Sequence, residues 1–257
     1  MDDGSCAAHA PTAPLRRAAR SAPWAVRSPW RLVPLAFLGS LSGAHTALAD
    51  SDGKPPAWAN DFVARVEALA VLQTLNAELL SHDSATVTLD RWCDAHHLAS
   101  PAKIVAVRDK ATTKEATADL RRALGVTATE PIRYRRVKLT CGSHVLSEAD
   151  NWYVPARLTA DMNHQLETTD IAFGRAVQAL HFQRRTLSAR LLWSPLPDGW
   201  EVKAAPSPDA GARTLQVPHE VLQHQAVLTL PDGTPFSEVV ETYTEQVLAF
   251  PQPRSVP

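Results

Sequence analysis

Arg135 lies in the run Arg133-Tyr134-Arg135-Arg136-Val137-Lys138-Leu139-Thr140-Cys141, where strand alternation sets it on one face with Val137, Leu139 and Cys141. Farther along, Val239-Val240-Glu241-Thr242-Tyr243 sets Glu241 on the face of Val239, Tyr243 and Val247. Two opposite charges therefore point toward an apolar core. Removing either ion from water costs several kcal/mol after relaxation. Each must be paired, as in a closed salt bridge between the two, or held ready for a charged ligand. In the second case the chemistry is carboxylate recognition by a bidentate Arg135, with Glu241 donating a hydrogen bond or proton from an apolar wall.

These residues need a sheet and something to cover it. Trp58, Phe62, Val66, Leu69, Leu72, Leu75, Leu79 and Leu80 recur near a 3.6 period, which predicts an amphipathic helix of about six turns. A turn at His82-Asp83-Ser84 leads to a second helix over Thr88 to His97, a short strand over Lys103 to Arg108, and a helix over Thr117 to Leu124 closed by Gly125. Arg133 to Cys141 and Val145 to Val154 flank Gly142-Ser143-His144, the spacing of a hairpin. Helices follow at Thr159 to Leu166 and Phe173 to Leu180, then an arginine-rich strand from Phe182 to Trp193 and a loop from Ser194 to Ala212. Val221 to Leu230 and Ser237 to Phe250 form a last hairpin around Pro231-Asp232-Gly233-Thr234. The order predicts an α+β domain, with a single antiparallel β-sheet and helices packed over one face.

The 257 residues, 45% hydrophobic and 21% charged, suit one such domain with added sequence at the front. Five arginines and no acid lie between Arg16 and Arg31, followed by apolar Leu32 to Leu41 and by Ala47-Leu48-Ala49 before Asp50. That order predicts a signal peptide over residues 1–49, a mature domain over 50–257 and a periplasmic or secreted location. No other stretch is long and apolar enough to span a bilayer. Loss of residues 1–49 moves the net charge from -1 to -4, a poor balance for binding nucleic acid. A monomer is expected. Cys6 leaves with the signal, and Cys93 and Cys141 are read equally well as a disulfide or as two buried thiols.

Four stretches in this order resemble the chorismate lyase family and, more loosely, the related ligand-sensing domains of transcription regulators. Leu79-Leu80-Ser81-His82-Asp83-Ser84-Ala85-Thr86 is similar to the family's opening motif, in which the position of Ala85 faces the ligand. Arg135-Arg136-Val137-Lys138-Leu139 is similar to its carboxylate-binding strand, Phe173-Gly174-Arg175 to a segment lining the site, and Gly233-Thr234-Pro235 with Glu241-Thr242-Tyr243 to its end. The resemblance implies a chorismate lyase-like fold and a divergent secreted member. It also implies cofactor-free conversion of chorismate to 4-hydroxybenzoate and pyruvate, with Arg135 and Glu241 catalytic and Arg135, Ala85, Asn151, Phe173 and Gly174 binding substrate. Ala85 stands where methionine is usual, Phe173 where leucine is usual and Asn151 where an arginine is expected. One extra residue between Pro235 and Glu241 suggests a bulge. The alternative is a non-catalytic periplasmic binding protein for a small aromatic carboxylate, and in either case the partner is a small-molecule carboxylate.

Other clusters carry less. His219-Glu220-Val221-Leu222-Gln223-His224 has one residue too many for a zinc-protease motif and reads as a solvated strand edge. Cys93-Asp94-Ala95-His96-His97 lacks a second half, so no metal is expected. Arg184, Arg185 and Arg190 read as exposed strand charges, though one could replace the cation missing at Asn151.

Overall fold

The computed structural model describes residues 57–203 and 212–253. The expected signal peptide, its boundary before Asp50, and Cys6 lie outside those residues.

Strands β1 (Ile104–Asp109), β2 (Arg133–Cys141), β3 (His144–Tyr153), β4 (Gln183–Leu191), β5 (Glu220–Thr229) and β6 (Pro235–Thr244) form one sheet in the order β1-β2-β3-β6-β5-β4. Every neighbouring pair is antiparallel. Together with helices α1 (Phe62–Leu80), α2 (Ala85–Ala95), α3 (Ala118–Ala123), α4 (Ala160–Thr168) and α5 (Phe173–Ala176), this is the expected α+β architecture. Alternation on β2 buries Arg135, Val137, Leu139 and Cys141 together. Val137, Leu139 and Cys141 join Leu72, Leu75 and Leu79 of α1 and Leu89 and Trp92 of α2 in the main core. On the opposite face, Leu120 of α3 and the following Leu124 cover only the corner at Trp152.

Local chemistry accounts for the element ends. Asp61 Oδ1 accepts from the Ala64 N–H at 2.8 Å and starts α1. The buried stripe of α1 runs through Ala64, Ala68, Leu72, Leu75 and Leu79, so two alanines take places expected for Val66 and Leu69. Ser84 Oγ accepts from the Val87 N–H and starts α2 three residues before the expected Thr88. The last strand ends at Thr244 rather than Phe250, because the Thr244 hydroxyl caps a 3-10 turn over Glu245–Leu248. The helix expected over Phe173 to Leu180 is the single α-turn of α5 plus a 3-10 turn that ends at His181, with φ 50°. In the β5–β6 turn Gly233 has φ +87°, a conformation that favours glycine. Leu228 faces Ser237 while Thr229 faces Pro235, so Phe236 is the additional residue and the expected bulge lies there.

Cys93 on α2 and Cys141 on β2 form a disulfide, with Cα atoms 6.2 Å apart. No helix among the described residues is long and apolar enough to cross a membrane.

Candidate functional site

The six residues singled out in the sequence, Arg135, Glu241, Ala85, Asn151, Phe173 and Gly174, all line one cavity of ≈ 40 Å³ between the sheet and the α2 and α5 helices. Register explains the convergence. Arg135 faces Asn151, Asn151 faces Val239, and Ala149 faces Glu241 across β2, β3 and β6. Helix α2 presents Ser84, Ala85 and Thr86 at its N-terminus, the end whose free N–H groups favour an anion. Gly174 permits this approach, since a Cβ there would lie 2.7 Å from Ser84 Oγ. Val137, Leu139, Phe182 and Leu228 supply apolar wall.

Arg135 is 4% exposed. Its Nη2 donates to the Ile171 carbonyl at 2.8 Å, but Nε and Nη1 have no partner among the described residues. Burial, aided by the nearby charge of Arg108, lowers its pKa to about 10. Asn151 Oδ1 accepts from Ser237 Oγ at 2.5 Å, and its Nδ2 has no partner among the described residues.

Glu241 does not pair with Arg135. Arg184 Nη2 donates to Glu241 Oε2 at 2.6 Å, and the two side chains are 4% and 9% exposed. Burial works against the Arg184 charge, and the Glu241 carboxylate outweighs it, so the Arg184 pKa is raised. Tyr243 Oη also donates to Glu241 Oε2, at 3.4 Å. The reading of Arg184 as an exposed charge is therefore corrected, and this residue is the second cation of the site. Its signal was present in the sequence: Arg184 shares parity with Phe182, another cavity residue, but the adjoining Arg185 made the pair look like a solvated edge.

The two histidines of the His219 to His224 segment separate. His219 Nδ1 donates to the Glu245 carboxylate at 2.9 Å on the outside, whereas His224 is fully buried and donates from Nε2 to Asn76 Oδ1 at 2.8 Å. The expected solvated edge is thus corrected at His224, which sits beside Glu241 in the β5–β6 register. Burial lowers its pKa to about 4, the Arg184 charge acting the same way and Glu241 opposing both. Between about pH 6.5 and pH 4 the unfolded chain then binds a proton that the folded chain does not. Stability therefore falls with falling pH across that window, by about 2–3 kcal/mol. Urea unfolding of wild type and His224→Gln at pH 7 and pH 4 checks this, and an equal acid loss in both would remove His224 as the cause. Among the described residues no group of three or more His, Cys, Asp or Glu side chains converges as a metal site.

The polar atoms left open are N–H donors on Arg135, Asn151 and Arg184, and the buried charges of Arg135, Arg184 and Glu241 leave one net positive charge. Asp83 is at the exposed rim, where its Oδ1 accepts from the Arg184 N–H at 2.9 Å. The arrangement can hold an anion.

No protein-family model matches the chain. The chain is 54% identical over 228 residues to the uncharacterized protein y4mC of Sinorhizobium fredii (strain NBRC 101917 / NGR234), covering 88% of this chain and 96% of that protein. Matches in fold include YydK from Bacillus subtilis, with a TM-score of 0.35 and 12% identity over 59% of this chain and 62% of that one. The effector domain of PhnF from Mycobacterium smegmatis matches with a TM-score of 0.40 and 11% identity over 68% and 96%. A GntR-family transcriptional regulator from Enterococcus faecalis V583 matches with a TM-score of 0.35 and 9% identity over 59% and 98%.

The expectation of a divergent secreted chorismate lyase making 4-hydroxybenzoate is corrected here: the 54% identical relative is an uncharacterized protein, and the solved structures similar in fold carry the names of transcriptional regulators. The site supplies a physical reason: Glu241, assigned as the proton donor, is held in an ion pair with Arg184.

Proposed function

This chain belongs to the same family as protein y4mC of Sinorhizobium fredii, and we propose that it is a ligand-binding domain that holds a small aliphatic carboxylate against Arg135. The observation that carries this reading is the set of buried donors without acceptors among the described residues, Arg135 Nε and Nη1 and Asn151 Nδ2, on two residues that line one cavity. Leaving such a donor unmet costs about 1–3 kcal/mol, more when it is charged. A carboxylate accepts from several of them at once, and the apolar wall takes a short alkyl tail. The Cys93–Cys141 bond supports an oxidising compartment, where a disulfide persists.

Thermal unfolding and calorimetry with acetate and propionate test the proposal. Propionate at about 100 times its Kd adds about 2.7 kcal/mol, which raises the Tm by about 5–10 °C. Arg135→Leu removes the shift while leaving the ligand-free domain at least as stable, because a buried charge without a counter-ion is gone. Affinity also falls as pH rises past about 10, where Arg135 loses its proton. If neither acid shifts the Tm of the wild type, or if the shift persists in Arg135→Leu, the assignment fails.

A further inference from the structure

We infer that the Arg184–Glu241 pair makes the cavity selective for ligands carrying a single negative charge, with Glu241 as the specificity-determining residue. The inference rests on the carboxylate-binding reading of the same cavity. Its starting point is that the wall contains two buried guanidinium groups, on β2 and β4, yet only Arg135 lacks an anionic partner among the described residues. Two free arginines facing one small space would form a receptor for a dicarboxylate, one cation for each end. Glu241 removes that option by occupying Arg184 from within the protein.

The carboxylate is not free to yield its place. Glu241 sits on β6 between Ala149 of β3 and His224 of β5, so the sheet fixes its backbone on both sides. Its Oε2 accepts from Arg184 at 2.6 Å and from Tyr243 at 3.4 Å, and the pair is almost fully withdrawn from water. A second ligand carboxylate would meet the Glu241 carboxylate at low dielectric with one guanidinium to share between them. Like charges so juxtaposed cost several kcal/mol. No neutralising proton is at hand from the adjacent strand, since burial keeps the His224 ring uncharged at neutral pH. Asp83 at the rim adds a further negative charge on the approach. A neutral polar group on the ligand carries no such penalty, because the unpartnered Arg184 Nε can donate to an amide, hydroxyl or carbonyl oxygen.

The matched probes are malonate and malonamate, which share a shape and differ by one charge. Calorimetry on the full chain at neutral pH is expected to find malonamate bound about 100-fold more tightly than malonate, the size of a like-charge penalty of a few kcal/mol. In Glu241→Gln the difference disappears, with malonate gaining about 100-fold as Arg184 is released to its second carboxylate while malonamate changes little. If the wild type binds both equally, the selectivity is overturned and carboxylate binding stands. If it binds neither of these nor propionate, the carboxylate reading fails and this inference with it. If malonate affinity is the same in wild type and Glu241→Gln, Glu241 is not the selector. Should Glu241→Gln not fold, the matched pair measured on the wild type decides by itself.

Discussion

Glu241→Ala is expected to destabilise the domain by about 3–5 kcal/mol, because it leaves the Arg184 guanidinium buried with no carboxylate to meet it. With Arg184 and Glu241 4% and 9% exposed at their side chains, water cannot replace the lost partner without opening the sheet's covered face. Tyr243, whose hydroxyl donates to the same oxygen and which is itself fully buried, loses its acceptor as well. For a domain of this size the loss corresponds to about 6–20 °C in Tm. Urea unfolding at pH 7 measures it, and an unchanged m-value would show that the folded and unfolded states keep their compactness. The double variant Arg184→Met/Glu241→Leu should recover most of the loss, since two apolar side chains of similar volume carry no desolvation penalty. A cost below about 1 kcal/mol in the single variant, the range of exposed ion pairs, would mean that the pair is solvated and that the account of Glu241 as a fixed wall is mistaken.

The second large effect belongs to the disulfide. Cys93–Cys141 closes 48 residues of sequence separation, and a loop of that length loses about 4 kcal/mol of constraint on the unfolded chain when the bond is removed. Cys93→Ser/Cys141→Ser should show this loss in urea unfolding under non-reducing conditions. Both cysteines are fully buried, so the bond resists reductant in the folded state and yields once the chain is unfolded. It also joins α2, whose N-terminus lines the cavity, to β2, which carries Arg135. Propionate affinity should therefore drop in the double serine variant along with stability. The chain contains three cysteines, so thiol titration of the unfolded, unreduced full-length protein is expected to find the one thiol of Cys6. Finding three would show that the bond does not form.

Much of the fold is legible from local rules. Alternation along β2 places Arg135 with Val137, Leu139 and Cys141, as observed, because a strand's period of two depends on the backbone alone. The Pro231 to Thr234 turn and the hairpin around Gly142 follow from residue types that tolerate those geometries, and the bulge near Pro235 from the one extra residue that the family resemblance brought out. Boundaries decided by a single side-chain bond are harder to read. Ser84 starts α2 before the apolar pattern begins, and Thr244 ends β6 six residues before the expected Phe250. In both cases a hydroxyl captures a backbone N–H that the hydrophobic period does not register.

The site divides along the same line. By itself the sequence determined that Arg135 and Glu241 each face the core, and its resemblance to a family added Ala85, Asn151, Phe173 and Gly174, which line the same cavity. Only the tertiary structure decided which charge meets which. Period-two alternation assigns a residue to a face but says nothing about its neighbours across the sheet. The order β1-β2-β3-β6-β5-β4 sets one strand between Arg135 and Glu241 and one between Glu241 and Arg184, so both arginines stand one strand from the carboxylate and side-chain packing on the covered face selects the pair. Arg184 takes the carboxylate at 2.6 Å, and Arg135 is left as the buried cation that a ligand must satisfy.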